Sequence, residues 1–246
     1  MQQKITFSNS RSLSLSGILH IPKKKTSKLV IIAHGFAANK DRYRFIKLSN
    51  RLIDYNIAAF RFDFGGCGSS ENRPITLDYQ IDDLQSALKY VQSLGYYNLG
   101  VVGESLGGLT TLLAYQANMK ALVLWAPVTK SKQPSILRGN DLRQTLKDQG
   151  FIIYHKEGRK FKIPKQYFQE RLNINQKQLL SHIHSPTLII HGDKDNTIPL
   201  SHSQEAISLL PLQSNKLIVI HGANHTFDNY LEKLISFSVS WFQKYL

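Results

Sequence analysis

A serine stands between two glycines at the point where an apolar run stops. Residues 99–102 (Leu-Gly-Val-Val) lead directly into Gly103-Glu104-Ser105-Leu106-Gly107, and residues 106–118 suit a helix. A strand that turns at once into a helix holds its turn residue in a strained backbone conformation, so the residues two positions away must be small. The strain lifts the serine hydroxyl clear of the sheet and aims the first helical N–H groups at it. Gly-x-Ser-x-Gly alone is a weak match, because both residues are common. The strand before it and the helix after it give it weight.

Around this unit, apolar runs alternate with amphipathic segments. Strands are expected over 5–8, 13–21, 29–33, 57–62, 121–125, 187–190 and 217–220. Helices are expected over 43–55, 79–94, about 203–210 and about 229–245. The run 29–33 (Leu-Val-Ile-Ile-Ala) is apolar without alternation, as in a parallel strand covered on both faces. Such a rhythm predicts a mostly parallel sheet with right-handed connections. It breaks over 128–185, a mixed, basic and aromatic stretch in which 151–158 and 159–163 suit a small hairpin. No internal repeat or low-complexity segment is present.

The length of 246 residues fits one α/β domain with a modest insertion; two full domains would be cramped. No apolar run approaches the ~20 residues that span a bilayer. Met1-Gln2-Gln3-Lys4 leads straight into strand-like Ile5-Thr6-Phe7, without the apolar core of a signal peptide. The single cysteine, Cys67, excludes an internal disulfide and a cysteine-built zinc cluster, and reads as a small packed residue. These features predict a cytoplasmic protein.

The formal net charge of +14 is the unusual quantity. It is compatible with nucleic acid, an anionic membrane surface or acidic small molecules. No nucleic-acid-binding motif and no basic amphipathic helix of clear register accompanies it. The longest basic run, Lys23-Lys24-Lys25, follows Pro22 and reads as a hairpin or loop tip. A solvated basic surface is expected, with no nucleic-acid partner. Membrane association has no motif behind it, and the sequence carries no signal of oligomeric state.

A serine hydroxyl is a poor nucleophile at neutral pH and needs a base beside it. After the strand at 187–190 come His191-Gly192-Asp193-Lys194-Asp195, and after 217–220 come His221-Gly222-Ala223-Asn224-His225. Two acids and two histidines therefore compete. Asp193 lies nearest its strand end and could brace the loop, whereas Asp195 lies where the loop can turn a carboxylate toward a histidine. His221 directly follows its strand; His225 follows a small-residue loop able to deliver the ring over the sheet. Asp195 and His225 are the favoured partners of Ser105.

The developing oxyanion needs N–H donors. Leu106, directly after the serine, supplies one, and Phe36 in His34-Gly35-Phe36 is expected to supply the other. The Phe36 ring would form a wall of the acyl pocket. His34 is placed beside the substrate in a loop-orienting role. Asp63 with Gly65-Gly66-Cys67-Gly68 lacks P-loop spacing and a Rossmann acidic partner, so it reads as a tight structural turn. No metal-ligand cluster and no cofactor motif is evident.

Taken together, His34-Gly35-Phe36, Phe62-Asp63-Phe64 with its glycine loop, Gly103-Glu104-Ser105-Leu106-Gly107-Gly108, Gly192-Asp193-Lys194-Asp195 and Gly222-Ala223-Asn224-His225 resemble the serine α/β-hydrolases. Within them the chain is most similar to compact bacterial esterases of the cinnamoyl (feruloyl) type and to serine-aminopeptidase-like hydrolases. The resemblance implies the α/β-hydrolase fold: a mostly parallel eight-stranded sheet flanked by helices, with a lid insertion. It implies Ser105 as nucleophile, His225 as base then acid, Asp195 as its orienting partner, and Phe36 and Leu106 as oxyanion donors. The implied activity is hydrolysis of a small-molecule carboxylic ester, with thioester or acyl-peptide hydrolysis as the rival chemistry and a non-catalytic binding module as the rival class. Two departures are Gly65, where relatives often carry a polar residue, and Glu104, where histidine is common.

The stretch 128–185 occupies the lid's place. It holds twelve Lys/Arg against four acids, over half of the chain's net charge. It also carries Phe151, Tyr154 and Tyr167, expected to wall the substrate pocket. A positive rim there would steer acidic esters; the alternative is a solvated cap whose aromatics pack on the body.

Overall fold

Alternate residues of one strand feed two separate cores. In β3 (Lys28–Ala33), Leu29, Ile31 and Ala33 join one apolar cluster, while Val30 and Ile32 join another on the opposite face. That is the period-two geometry of a strand covered on both sides. The computed structural model describes residues 1–131, 136 and 140–246. Lys132 and Arg138, counted in the basic stretch, lie outside these.

In chain order, β1 (Gln2–Ser8) and β2 (Ser14–His20) precede β3; then come α1 (Tyr43–Asp54), β4 (Ala58–Phe62), α2 (Leu77–Ser93), β5 (Asn98–Glu104), α3 (Leu106–Leu113) and β6 (Met119–Trp125). Next are α4 (Asn140–Gln149), β7 (Phe151–Lys156), β8 (Arg159–Pro164), α5 (Lys165–Leu172) and α6 (Gln176–Ser181). The chain ends with β9 (Thr187–Gly192), α7 (Leu200–Leu209), β10 (Lys216–Ile220), a 3-10 turn (Asp228–Tyr230) and α8 (Leu231–Tyr245).

Among the described residues, eight strands form one sheet in the order β1-β2-β4-β3-β5-β6-β9-β10. The strands from β4 through β10 in that order run parallel to one another, and the β1–β2 hairpin adds to β4 antiparallel. This is the α/β-hydrolase fold. Leu84, Leu88 and Val91 of α2 and Leu109 and Leu112 of α3 cover one face. Phe45, Leu48 and Leu52 of α1 and Leu234, Ile235, Val239 and Phe242 of α8 cover the other.

Because β4 lies between β2 and β3, Lys23-Lys24-Lys25 sits on a crossover loop, the loop alternative of the two expected. One expectation needs correction. The helix after the serine stops at Leu113, short of 118. Just beyond it the Tyr115 phenol is 2.9 Å from Ser185 Oγ and accepts the His184 N–H at 3.2 Å, contacts of long sequence separation that helical periodicity does not report.

The stretch 128–185 interrupts the strand–helix alternation between β6 and β9. Its β7–β8 hairpin turns through Glu157 and Gly158, both with positive φ (51° and 74°), as a two-residue turn matching strand twist requires. The hairpin docks onto the body: the Ile75 N–H donates to Lys162 O at 3.0 Å, and Arg42 pairs with Glu157 at 2.5 Å. At the next element, Glu170 of α5 accepts the Leu77 N–H at the start of α2 at 2.7 Å.

Candidate active site

Ser105 sits between the end of β5 and the start of α3 with φ 52° and ψ −111°, a left-handed backbone that an L-residue adopts only under constraint. The glycines around it are demanded by contact. A Cβ on Gly103 would lie 2.6 Å from Thr111 Oγ1 and 2.7 Å from Gly107 O; one on Gly107 would overlap the carbonyls of Ala33 and His34. The Ser105 N–H is held by Trp125 O at 2.8 Å, and its carbonyl accepts the Gly108 N–H at 3.1 Å.

Ser105 opens onto a cavity of about 560 Å³ that is also lined by Phe36, Leu106, Tyr154, Tyr167 and His225. His225 donates from Nδ1 to Asp195 Oδ2 at 2.6 Å, since the carboxylate can only accept. Asp195 Oδ1 accepts the N–H groups of Thr197 and Ile198 at 2.8 and 2.9 Å. Burial by itself would raise the Asp195 carboxyl. Hydrogen bonds from His191 and His225 outweigh it and hold the group well below the usual carboxylate range.

His191 is the residue here that sequence reasoning quoted without a role. Fully buried, it places Nε2 3.2 Å from Asp195 Oδ2 and 3.0 Å from Ile198 O, with Nδ1 2.7 Å from Ser203 Oγ. It braces Asp195 from behind. Its place in His-Gly-Asp-Lys-Asp, ending the same strand, was the available signal. The competing pair is also together: Asp193 lies 3.0 Å from Nδ1 of the exposed His221 and accepts the Gly222 N–H at 2.7 Å.

The loop after β3 is locked by a buried imidazole. His34 Nε2 accepts the Phe64 N–H at 3.1 Å, which leaves Nδ1 as the donor to Gly35 O at 2.8 Å. Burial lowers its pKa, which suits this neutral form. Gly35 O and the Phe36 N–H belong to one planar peptide, so holding the first orients the second. The Lys156 ammonium holds the next carbonyl, Phe36 O, at 3.2 Å.

Phe36, Tyr154 and Tyr167 line the cavity, and the Phe36 ring lies 5.5 Å from Tyr154 and 5.4 Å from Tyr167. His34 and Phe151, expected at the substrate, are not on its wall. His34 is fully enclosed beneath the loop, and Phe151 stands at the far end of its hairpin under the Lys162 ammonium, 4.2 Å from the ring centre. Glu104 also lines the cavity, paired with Arg44 at 2.5 Å.

The neighbouring glycine loop is structural. Asp63 accepts the Lys40 N–H and ammonium, both at 2.6 Å, and the Ser69 N–H at 2.8 Å. The side chain of Arg73, paired with Asp83, fills the space a Cβ on Gly65 would need. Cys67 is buried, and its thiol is pushed up to about 12 mainly by desolvation. No group of metal-ligating side chains occurs among the described residues. No helix among them is long and apolar enough to cross a membrane.

Comparison with known proteins agrees with this architecture. The chain is 26% identical over 231 residues to the uncharacterized protein YfhR of Escherichia coli K12, covering 89% of this chain and 72% of that one. It is 25% identical over 234 residues to lipase 3 of Moraxella sp., covering 81% and 72%. Among solved structures, Est1E from Butyrivibrio proteoclasticus with ferulic acid bound matches at TM-score 0.83 and 24% identity over 98% of both chains. The α/β hydrolase GrgF from Penicillium sp. matches at 0.84 and 16% identity, over 100% of this chain and 99% of that one. The family described as serine aminopeptidase, S33, matches residues 24–150, just over half of the chain, and the protein belongs to that family of α/β hydrolases.

Proposed function

We propose that this hydrolase cleaves carboxylic esters of small to medium acyl groups through an acyl-enzyme on Ser105. The observation that carries the reading is the 2.6 Å bond between His225 Nδ1 and Asp195, which leaves Nε2 of that imidazole free to act as base in the cavity Ser105 shares. Ser105 Oγ attacks the ester carbonyl and its proton passes to His225. The oxyanion is met by the N–H groups of Leu106 and Phe36. Collapse of the tetrahedral intermediate breaks the ester C–O bond, and His225 returns the proton to the departing alcohol. Water, deprotonated by the same imidazole, then releases the acid.

The flat faces of Phe36, Tyr154 and Tyr167 suit an aromatic or straight acyl chain, and 128–185 acts as the lid that supplies two of them. A lipase among the relatives supports ester over peptide substrates. A lone, buried thiol supports a reducing, cytoplasmic setting. The test is turnover of p-nitrophenyl esters from acetate to dodecanoate by the wild type and Ser105→Ala. A loss of about 10⁴-fold or more in the variant is expected. Wild-type inactivity on every ester, or an active Ser105→Ala, sinks the reading.

A further inference from the structure

The cavity wall carries an arginine with no counter-ion. Arg171, on α5 one turn after Tyr167, is 5% exposed and lines the same cavity as Ser105. Its Nε is buried without a hydrogen-bond partner, and no carboxylate among the described residues lies within ion-pair distance. The stretches 132–135 and 137–139 contain no acid that could serve. Its sequence neighbour Glu170 faces elsewhere, bonded to Leu77 N–H and Gln166. The nearby Tyr167 phenol is uncharged at neutral pH, as phenols are, and burial pushes its pKa further up, to about 12. Desolvation lowers Arg171 from its ordinary value, yet a guanidinium stays protonated in proteins.

Three other cations of the cavity make an informative contrast. Arg44 is matched by Glu104 and Arg42 by Glu157, and Lys156 donates to a backbone carbonyl. An unpaired charge is costly to bury, so a site that keeps one is suited to a partner that arrives with the ligand. A guanidinium fork matches the two oxygens of a carboxylate.

We propose that Arg171 is the specificity-determining residue of this cavity, binding a carboxylate carried by the substrate at the end remote from the scissile ester. The favoured substrates are then half-esters of dicarboxylic acids. This assignment rests on the ester-hydrolase reading above.

The test compares kcat/KM for mono-p-nitrophenyl adipate with that for p-nitrophenyl hexanoate, a neutral ester of the same acyl length. The wild type is expected to favour the adipate ester. Arg171→Met should lower the adipate-to-hexanoate ratio by about 10- to 100-fold, chiefly through KM for the adipate ester, and Arg171→Lys should recover part of it. A ratio unchanged by Arg171→Met overturns the proposal. Should that variant fail to fold, wild-type inhibition decides: adipate must compete with p-nitrophenyl hexanoate more tightly than neutral hexanamide does. Equal competition overturns the assignment, and inorganic phosphate competing as tightly as adipate overturns its restriction to carboxylates. A wild type that turns over no ester defeats the hydrolase reading alone; calorimetric binding of adipate, with Arg171→Met as control, still decides on Arg171.

Discussion

Asp195 receives a 2.6 Å hydrogen bond from His225 at the wall of the cavity, while two residues earlier Asp193 faces the exposed His221 at 3.0 Å. The same two loops, after β9 and β10, thus make two acid–imidazole pairs of similar composition. Solvent separates their roles. The Asp195 carboxylate is fully enclosed and fixed by two backbone N–H groups, whereas the His221 ring is 87% exposed, where an ion pair is screened and contributes little.

Replacing the two acids should therefore give opposite results. Asp195→Asn loses the partner that orients His225 and should lower kcat by about 10⁴-fold. Asp193→Asn should leave kcat/KM within a few-fold of wild type. Steady-state kinetics of both variants on one p-nitrophenyl ester checks the contrast; a larger loss in Asp193→Asn than in Asp195→Asn would make the exposed pair the working one.

His34 fixes the peptide plane whose other edge is the Phe36 N–H, the donor proposed for the oxyanion. With its Nδ1–H removed from Gly35 O, the plane that carries the Phe36 N–H loses this constraint, and on the proposed mechanism so does an oxyanion donor. His34→Ala should lower kcat by up to about 10²–10³-fold with KM nearly unchanged, since the donor acts on charge that develops only in the transition state. A rise in KM with kcat preserved would assign the histidine to substrate binding instead.

Gly107 admits no side chain. Its Cβ would overlap the Ala33 and His34 carbonyls, backbone atoms of the central strand and the oxyanion loop. Gly107→Ala should destabilise the fold by about 1–3 kcal/mol and depress activity together with it. Thermal melts alongside kinetics check this; an unshifted melting temperature would mean that the two loops part at little cost.

Stability should fall in acid partly through Asp195. Its carboxyl lies below its unfolded value of about 3.9, so the unfolded chain binds the proton more readily and stability rises with pH across that window. The contribution is complete above about pH 4 and is lost as the pH drops toward the folded value. Urea midpoints measured from pH 2 to 6 should show the gap between wild type and Asp195→Asn narrowing at the acid end. A gap independent of pH would deny the carboxylate this role.

Outside 128–185, where α4, α5 and α6 were not foreseen, the order of strands and helices was legible because it depends on local pattern. The unbroken apolar run of β3, the alternation of apolar runs with amphipathic segments and the glycines around Ser105 each state a steric or burial requirement within a few residues. The preference for Asp195 and His225 over Asp193 and His221 followed from their distance beyond a strand end, which sets how far a loop can reach. Where partners lie far apart in the chain, local pattern is silent. The bracing of Asp195 by His191 and Ser203, the enclosure of His34 under Phe64 and the docking of the β7–β8 hairpin on Ile75 all join segments that only packing brings together. Composition registered the basic stretch 128–185 as charge alone. Tertiary structure decided that Lys130 pairs with Glu205 and that Lys156 holds the Phe36 carbonyl, and left Arg171 buried on the cavity wall, because desolvation and counter-ion placement are properties of three-dimensional neighbours.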